Sequence, residues 1–285
     1  MSTELSNYDT LSKEQIMRLT GQEDDSSSSG NSLPRLSINK DAEDDDGNTI
    51  PSGVYTIYNP ETESRVYGTK EGKTLFRPFI NSYQYMEYDP EKNNYPHTSV
   101  IFKSWKDEPL DTKGTLRCGK VVGKDKDHLS DVEIELQKNI KCYRLIYGLL
   151  TMDAKTAEGE PVDIKGVPVL WRVSGTSFMP VGDVIQSIKN RGKLMQNVHL
   201  RMGGKRHKNG STVWYTPILN VEDKEIAFSK QDLQTMEMFS QLIDDENKKV
   251  VESWKKAQAS AQSDKNAERV MKTVEDIDPE EAFAN

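Results

Sequence analysis

The chain has 285 residues, 46 acidic against 38 basic side chains, and a formal charge of -8. That length allows one large domain or two small ones. Adding its 18 glycines to the 34% of hydrophobic residues gives about 40%, under the roughly 45–50% of an average globular chain, so part of the chain is expected to stay unfolded.

A net charge of -8 argues against a polyanionic ligand until it is divided by position. Residues 1–48 carry 11 acids and 4 bases, residues 49–228 carry 22 acids and 26 bases, and residues 229–285 carry 13 acids and 8 bases. A mildly basic middle therefore lies between acidic ends. No run approaches the ~20 apolar residues of a membrane span, and the start, MSTELSNYDT, lacks the basic and apolar regions of a secretory signal. A cytoplasmic protein without membrane contact is expected. Its two cysteines, Cys118 and Cys142, are then free thiols rather than a disulfide framework.

In chain order, Ser12–Thr20 has the spacing of a short capped helix, and the polar stretch GQEDDSSSSGNS follows it. Leu33–Ile38 alternates briefly before the acidic cluster Asp41–Asp46, so residues 1–48 read as a flexible acidic arm. From Gly53 the pattern turns to period two, bounded by Pro, Gly and Asn, which is the mark of strands. The predicted strands are Val54–Tyr58, Leu75–Tyr85, Ser99–Trp105, Leu116–Val122, Cys142–Met152 and Val167–Val173.

Val181, Val184, Ile185 and Ile188 have helical spacing. Val198, Leu200 and Met202 then share one strand face, and the turn-rich segment GGKRHKNGS leads into a strand over Val213–Val221. Asn209-Gly210 is the turn signal between the two runs. From about residue 115 to 221 the order is three strands, a helix and two hairpin-linked strands, the order of an OB-fold Greek-key barrel. The predicted fold is mainly β (α+β): an OB-like core over 49–228 with additional N-terminal strands, a C-terminal helix over 229–262 and a disordered acidic tail over 263–285. The C-terminal helix has one apolar stripe, for packing on the barrel or for self-association into a homo-oligomer.

Catalytic signatures are missing from the sequence, and neither an enzymatic activity nor a cofactor is expected. Gly68 and Gly72 are separated by three residues where a phosphate loop needs four. The four histidines, His97, His128, His199 and His207, stand among polar neighbours and read as surface residues. Cys118, His128, Cys142 and His97 would make a zinc ligand set if they converged, though their spacings match no compact zinc motif.

The strongest feature is a stretch without negative charge. Between Asp183 and Glu222 there is no acid, while Lys189, Arg191, Lys193, Arg201, Lys205, Arg206 and Lys208 supply seven positive charges. Three of them, Lys205, Arg206 and Lys208, are expected at a hairpin tip, where mobile cations follow phosphates without reading bases. Binding of single strands also needs aromatic faces for base stacking. Trp214 beside the basic segment is the leading candidate, with Trp171 and Phe178 near in sequence, and Tyr83, Tyr85, Tyr88 and Trp105 form a second aromatic group. The end TVEDIDPEEAFAN has five acids and no base. Its Glu275, Asp276, Asp278, Glu280 and Glu281 would imitate phosphates and compete for the basic groove, with Phe283 as an apolar anchor for partners.

The basic segment 199–219 and the tail 275–285 resemble those of the single-stranded-DNA-binding proteins of bacteriophages and bacteria, which join an OB-fold core to an acidic C-terminal tail with a phenylalanine near its end. In this chain Ala284 and Asn285 follow Phe283. The resemblance implies coating of single-stranded DNA without sequence preference during replication, recombination or repair, in the bacterial host cytoplasm if the protein is phage-encoded. It also implies recruitment of replication or recombination proteins through the tail. The alternatives are a strand-annealing recombination protein and a structural or scaffold protein of a virion.

Overall fold

The computed structural model describes residues 32–89, 91–92, 94–103, 110–112, 131, 134 and 140–275, with side chains as far as residue 260. By compactness the chain divides into Met1–Ser32 and Leu33–Asn285, and the fold described is that of the second unit. It is mainly β, with one mixed sheet and a C-terminal helix. Among the described residues the strands are β1 (Arg35–Ile38), β2 (Tyr55–Asn59), β3 (Ser64–Gly68), β4 (Thr74–Asp89), β5 (Asn94–Thr98), β6 (Ile140–Lys155), β7 (Pro161–Val173), β8 (Leu200–Asn209) and β9 (Thr212–Val221). The helices are α1 (Phe178–Asn190) and α2 (Lys230–Glu275). No helix among the described residues is long and apolar enough to cross a membrane.

Five strands close a ring. β1, β2, β3, β6 and β7 pair antiparallel in that order, and β7 returns to pair parallel with β1. The two closing contacts are short, Tyr67↔Lys155 and Gly68↔Ala154 on one side and Arg35↔Leu170 and Leu36↔Trp171 on the other. Strand alternation fills the ring: Val169, Trp171 and Val173 point inward with Leu36, Tyr55, Ile57 and Ile146. Trp171 meets Tyr55 and Phe76 edge-on at 6.1 and 5.8 Å between ring centroids. The apolar face of α1, with Val181 and Ile188 buried, packs onto the same core.

β4 is shared between the ring and the rest of the molecule. It runs antiparallel to β6 from Thr74↔Met152 to Glu87↔Ile140, and it also pairs with β5 and β8. Gly148, opposite Pro78, has no room for a side chain: a Cβ there would lie 2.5 Å from the Arg77 carbonyl oxygen and 2.5 Å from the Phe76 ring. The ladder slips between Pro78 and Ile80, leaving Phe79 as the extra residue of a bulge. Phe79 then packs on Phe239 of α2, 6.1 Å between centroids, in a second core with Leu145, Tyr147 and Ile243.

α2 is fastened at two points. The Ser229 hydroxyl accepts the Asp232 N–H (3.2 Å), while Asp232 Oδ2 accepts the Ser229 N–H (2.7 Å), a reciprocal cap at the helix start. The same carboxylate takes two bonds from Arg77 of β4, at 2.7 and 3.0 Å. Four turns on, Asn247 exchanges two hydrogen bonds with the backbone of Ile101, at 2.6 and 3.0 Å.

Several expectations are corrected. Leu36 of β1 is buried, so residues 35–38, read as arm, belong to the ring. Three ring strands precede residue 115, and α1 follows the last of the five, so the ring is not assembled from the 115–221 segment. Of the predicted strand Ser99–Trp105, the described residues 99–103 form single bridges, at Ser99↔Asp111 and Tyr83↔Phe102, and residues 104 and 105 lie outside the described residues. The expected strand Leu116–Val122 and helix Ser12–Thr20 lie outside the described residues. α2 passes the expected end at 262 and continues to Glu275, because residues 257–272 are rich in Ala, Gln, Lys and Glu, good helix formers without an apolar stripe strong enough to mark them.

The Asp232 carboxylate is opposed by burial, but the bonds from Arg77 and Ser229 and the Arg77 charge outweigh it and hold its pKa below the usual carboxylate range. A depressed carboxylate contributes stability that is present above its unfolded pKa and lost as pH falls through the folded value. Urea denaturation is expected to show the wild type losing stability over that acidic window while Asp232→Asn changes much less. Asp232→Ala, which leaves Arg77 buried and unpaired, is expected to cost about 3–5 kcal/mol at neutral pH.

Candidate nucleic-acid interface

The segment 203–211, read as a loop, is almost entirely strand. β8 and β9 pair without interruption from Leu200↔Val221 to Asn209↔Thr212, leaving a two-residue turn of Gly210 and Ser211. Gly210 has φ 58°, the left-handed conformation that a type II′ hairpin turn places at its first central residue. Lys205 and Arg206 therefore stand on a ladder rather than on a mobile tip, and Lys208 is next to the turn.

Pairing sorts the side chains into two faces. Leu200 and Met202, with Leu219 and Val221, join the ring core, and further along the same face are Arg206, Lys208, Val213 and Tyr215. The opposite face carries Arg201, Lys205, His207, Trp214, Thr216 and Ile218, the last 44% exposed. Trp214 is half-buried and stacks on its cross-strand partner His207, with centroids 5.3 Å apart and planes 13° apart. His207 Nε2 is also 2.8 Å from Thr216 Oγ1, which fixes the imidazole beneath the indole. The hairpin rests on the β1–β2 loop: Gly204 packs against the Gly53 carbonyl, and the Tyr215 hydroxyl lies 3.4 Å from Ser52 Oγ.

Two of the seven cations are neutralised. Arg201 Nε bonds Glu222 at 2.6 Å, and Lys193 pairs with Glu225 at 2.7 Å, because the chain after β9 turns back beside them. Lys189 and Arg191 at the end of α1, and Lys205, Arg206 and Lys208 on β8, are exposed and make no ion pair among the described residues.

The other aromatic candidates do not gather here. Trp171 is 4% exposed in the ring core and presents no face to a ligand. Tyr83 and Tyr85 sit on β4, in a stack with Phe102 at 5.8 and 5.3 Å, and Phe178 adds to it on the Tyr83 side. Arg144 lies over both Tyr83 and Phe178, at 5.1 and 4.7 Å, and donates to Asn81 and to the Tyr83 hydroxyl. That group fastens α1 to β4 and β6. Trp105 and the tail residues Asp276, Asp278, Glu280, Glu281 and Phe283 lie outside the described residues, and Glu275 is the last residue of α2.

Of the zinc candidates, Cys118 and His128 lie outside the described residues. His97, expected at the surface, is fully buried, with its ring nitrogens 3.4 Å from the Glu87 carboxylate and 3.1 Å from that of Asp111. Among the described residues no group of three His, Cys, Asp or Glu side chains is disposed to hold a metal ion. Cys142 is half-buried on β6, and burial pushes its thiol up to about 12 against a small lowering by Arg144.

His207 reads in the sequence only as a surface histidine, and Thr216 carries no signal of its own. Counting back from a Gly210–Ser211 turn places His207 opposite Trp214, so the signal was present once the turn was set correctly. No known protein family, curated protein or solved structure matches the chain.

With its thiol raised so far, Cys142 is expected to stay unmodified by a maleimide at pH 8 in the native Cys118→Ser protein and to react fully after denaturation. Rapid native labelling would show the thiol to be accessible and ionised.

Proposed function

We propose that this protein binds single-stranded DNA without sequence preference, using the β8–β9 hairpin as its contact surface and the five-stranded ring as an OB-like support. One observation carries the reading: three cations of β8 make no ion pair among the described residues, Lys205 on the same face as the half-exposed Trp214 indole that His207 holds flat, and Arg206 and Lys208 on the other face of the same ribbon. The cations attract the phosphate backbone and gain from released counterions. The indole supplies a stacking face, which unstacked bases of a single strand can use and paired bases cannot.

The acidic end keeps its proposed role in recruiting replication or recombination proteins, with a change in how it competes for the hairpin. α2 runs along β4 from Arg77 past Phe79 toward Ile101, whereas β8 is antiparallel to β4 and leaves it at Phe76 and Leu75 in the other direction. At ~1.5 Å per residue, α2 from Asp232 to Glu275 extends about 65 Å, and residues 276–285 add at most ~35 Å. The far end of α2 and the hairpin tip thus point opposite ways, and competition by the tail acts between molecules rather than within one.

Fluorescence anisotropy with a labelled single-stranded oligonucleotide, titrated with salt, tests the proposal. Lys205→Gln/Arg206→Gln/Lys208→Gln is expected to flatten the log–log salt slope by about 2, from roughly 0.7 per phosphate contact. Trp214→Ala is expected to weaken binding by the ~1–3 kcal/mol of one stacked base. Negligible affinity of the wild type, or wild-type behaviour of both variants, would exclude the hairpin as a nucleic-acid interface.

A further inference from the structure

On the outer side of the ring, away from the hairpin, Arg172 of β7 is a half-buried guanidinium that makes no hydrogen bond or ion pair among the described residues. Trp171 and Val173 point into the core, so Arg172 projects to the face that also carries Tyr143 of β6 and Arg35 of β1. Leu145, flanked on its face by Tyr143 and Tyr147, is directly opposite Arg172, and Arg35 is opposite Leu170, two residues before it. The guanidinium carbon is 6.0 Å from the centre of the Tyr95 ring, and Tyr95 meets Tyr143 edge-on at 6.0 Å.

The two buried arginines each have anchors: Arg77 makes three hydrogen bonds, and Arg144 makes two although its Nε is also unsatisfied. Arg172 makes none among the described residues, and its Nε is fully buried and unsatisfied. A buried donor left unsatisfied has given up its hydration without return, and the penalty is larger when the group is charged. The local charge adds to the imbalance, since burial and then the neighbouring Arg35 disfavour the protonated guanidinium, against weaker favourable fields from Tyr95, Tyr147 and Glu246 of α2. Two guanidinium groups and the phenol hydroxyls of Tyr95 and Tyr143, which also hydrogen-bond each other, make the place rich in donors. The group that such a set of donors matches is an anion with several acceptor oxygens.

We propose that Arg172 and Arg35, with the hydroxyls of Tyr95 and Tyr143, form a binding site for a phosphoryl group. The planar fork of Arg172 suits two oxygens of one phosphate, and Arg35 supplies the second positive charge. This site stands on different residues from the hairpin: β7 is three strands from β8 in the sheet, about 14 Å at ~4.8 Å per strand. The phosphoryl group comes either from a nucleic-acid backbone or from free phosphate.

The test uses the full chain with inorganic phosphate as the probe, against chloride at equal ionic strength, read by thermal shift and titration calorimetry. Phosphate is expected to raise the Tm of the wild type and to bind with one-site stoichiometry. Arg35→Gln, an exposed position that leaves the fold intact, and Arg172→Lys, which keeps the charge but loses the fork, are each expected to weaken binding at least tenfold. The Lys205→Gln/Arg206→Gln/Lys208→Gln variant is expected to bind phosphate as the wild type does. Absence of a phosphate-specific shift overturns the site, and so does a shift that survives in Arg35→Gln and Arg172→Lys or disappears in the hairpin variant. If Arg35→Gln also weakens oligonucleotide binding tenfold, the phosphoryl group belongs to the backbone. If it loses phosphate while its oligonucleotide affinity is unchanged, the site serves free phosphate.

Discussion

The Arg77 guanidinium joins three parts of the chain that are far apart in sequence. It projects from β4, donates through Nε to the Gln196 carbonyl at 2.6 Å, and holds both oxygens of Asp232 at the start of α2. Gln196 in turn donates to the Phe79 carbonyl at 2.7 Å, so the segment leading to β8 is tied to the bulge beside it. A buried ion pair of this kind adds little net stability over an apolar substitute, since both charges lose their water. Its consequence is positional. With Asp232 held, the helical period brings Phe239 and Ile243 down on Phe79 and Tyr147 and no other register does so.

That joint also decides where the basic hairpin stands. β4 gives one edge to β6 along most of its length, and only Leu75 and Phe76 remain to pair with β8. β8 and β9 thus leave the body after a short attachment and extend as a two-stranded ribbon, supported at Gly53 and Tyr215. Among the described residues no acidic side chain pairs with a cation of its outer part. Glu222 and Glu225, which follow β9, neutralise Arg201 and Lys193 near the attachment, and Lys205, Arg206 and Lys208 stay unpaired beyond it.

Strands with one buried face were legible in the sequence. β4, β6, β7 and β9 and the helix α1 alternate between apolar and polar residues because one side of each meets a core. β3 was missed: only Tyr67 and Gly68 of its five residues are buried, too few to establish a period. The outer half of β8 was read as a loop for a related reason, since neither of its faces is buried and Gly203-Gly204 looks like a turn. Its strand character comes from the ladder to β9, and Gly204 is there because the backbone of Gly53 passes against it. His97 looked exposed among polar neighbours, yet on β5 it is buried between the carboxylates of Glu87 on β4 and Asp111.

Charge segregation and periodicity are properties of short stretches of chain, and they were sufficient to locate the acidic ends, the acid-free segment and most elements. Pairing of charges is not local. Arg77 and Asp232 are 155 residues apart, and nothing around either one announces the other. The same limit separates Trp171 from Trp214: both sit on strands with similar patterns, and only closure of the ring makes one of them core and leaves the other as a face. Seven cations were countable in the sequence. Which five make no ion pair among the described residues, and that the Arg172 Nε lies buried without a hydrogen bond, depended on where distant segments return, because an ion pair is settled by distance in space and not by order along the chain.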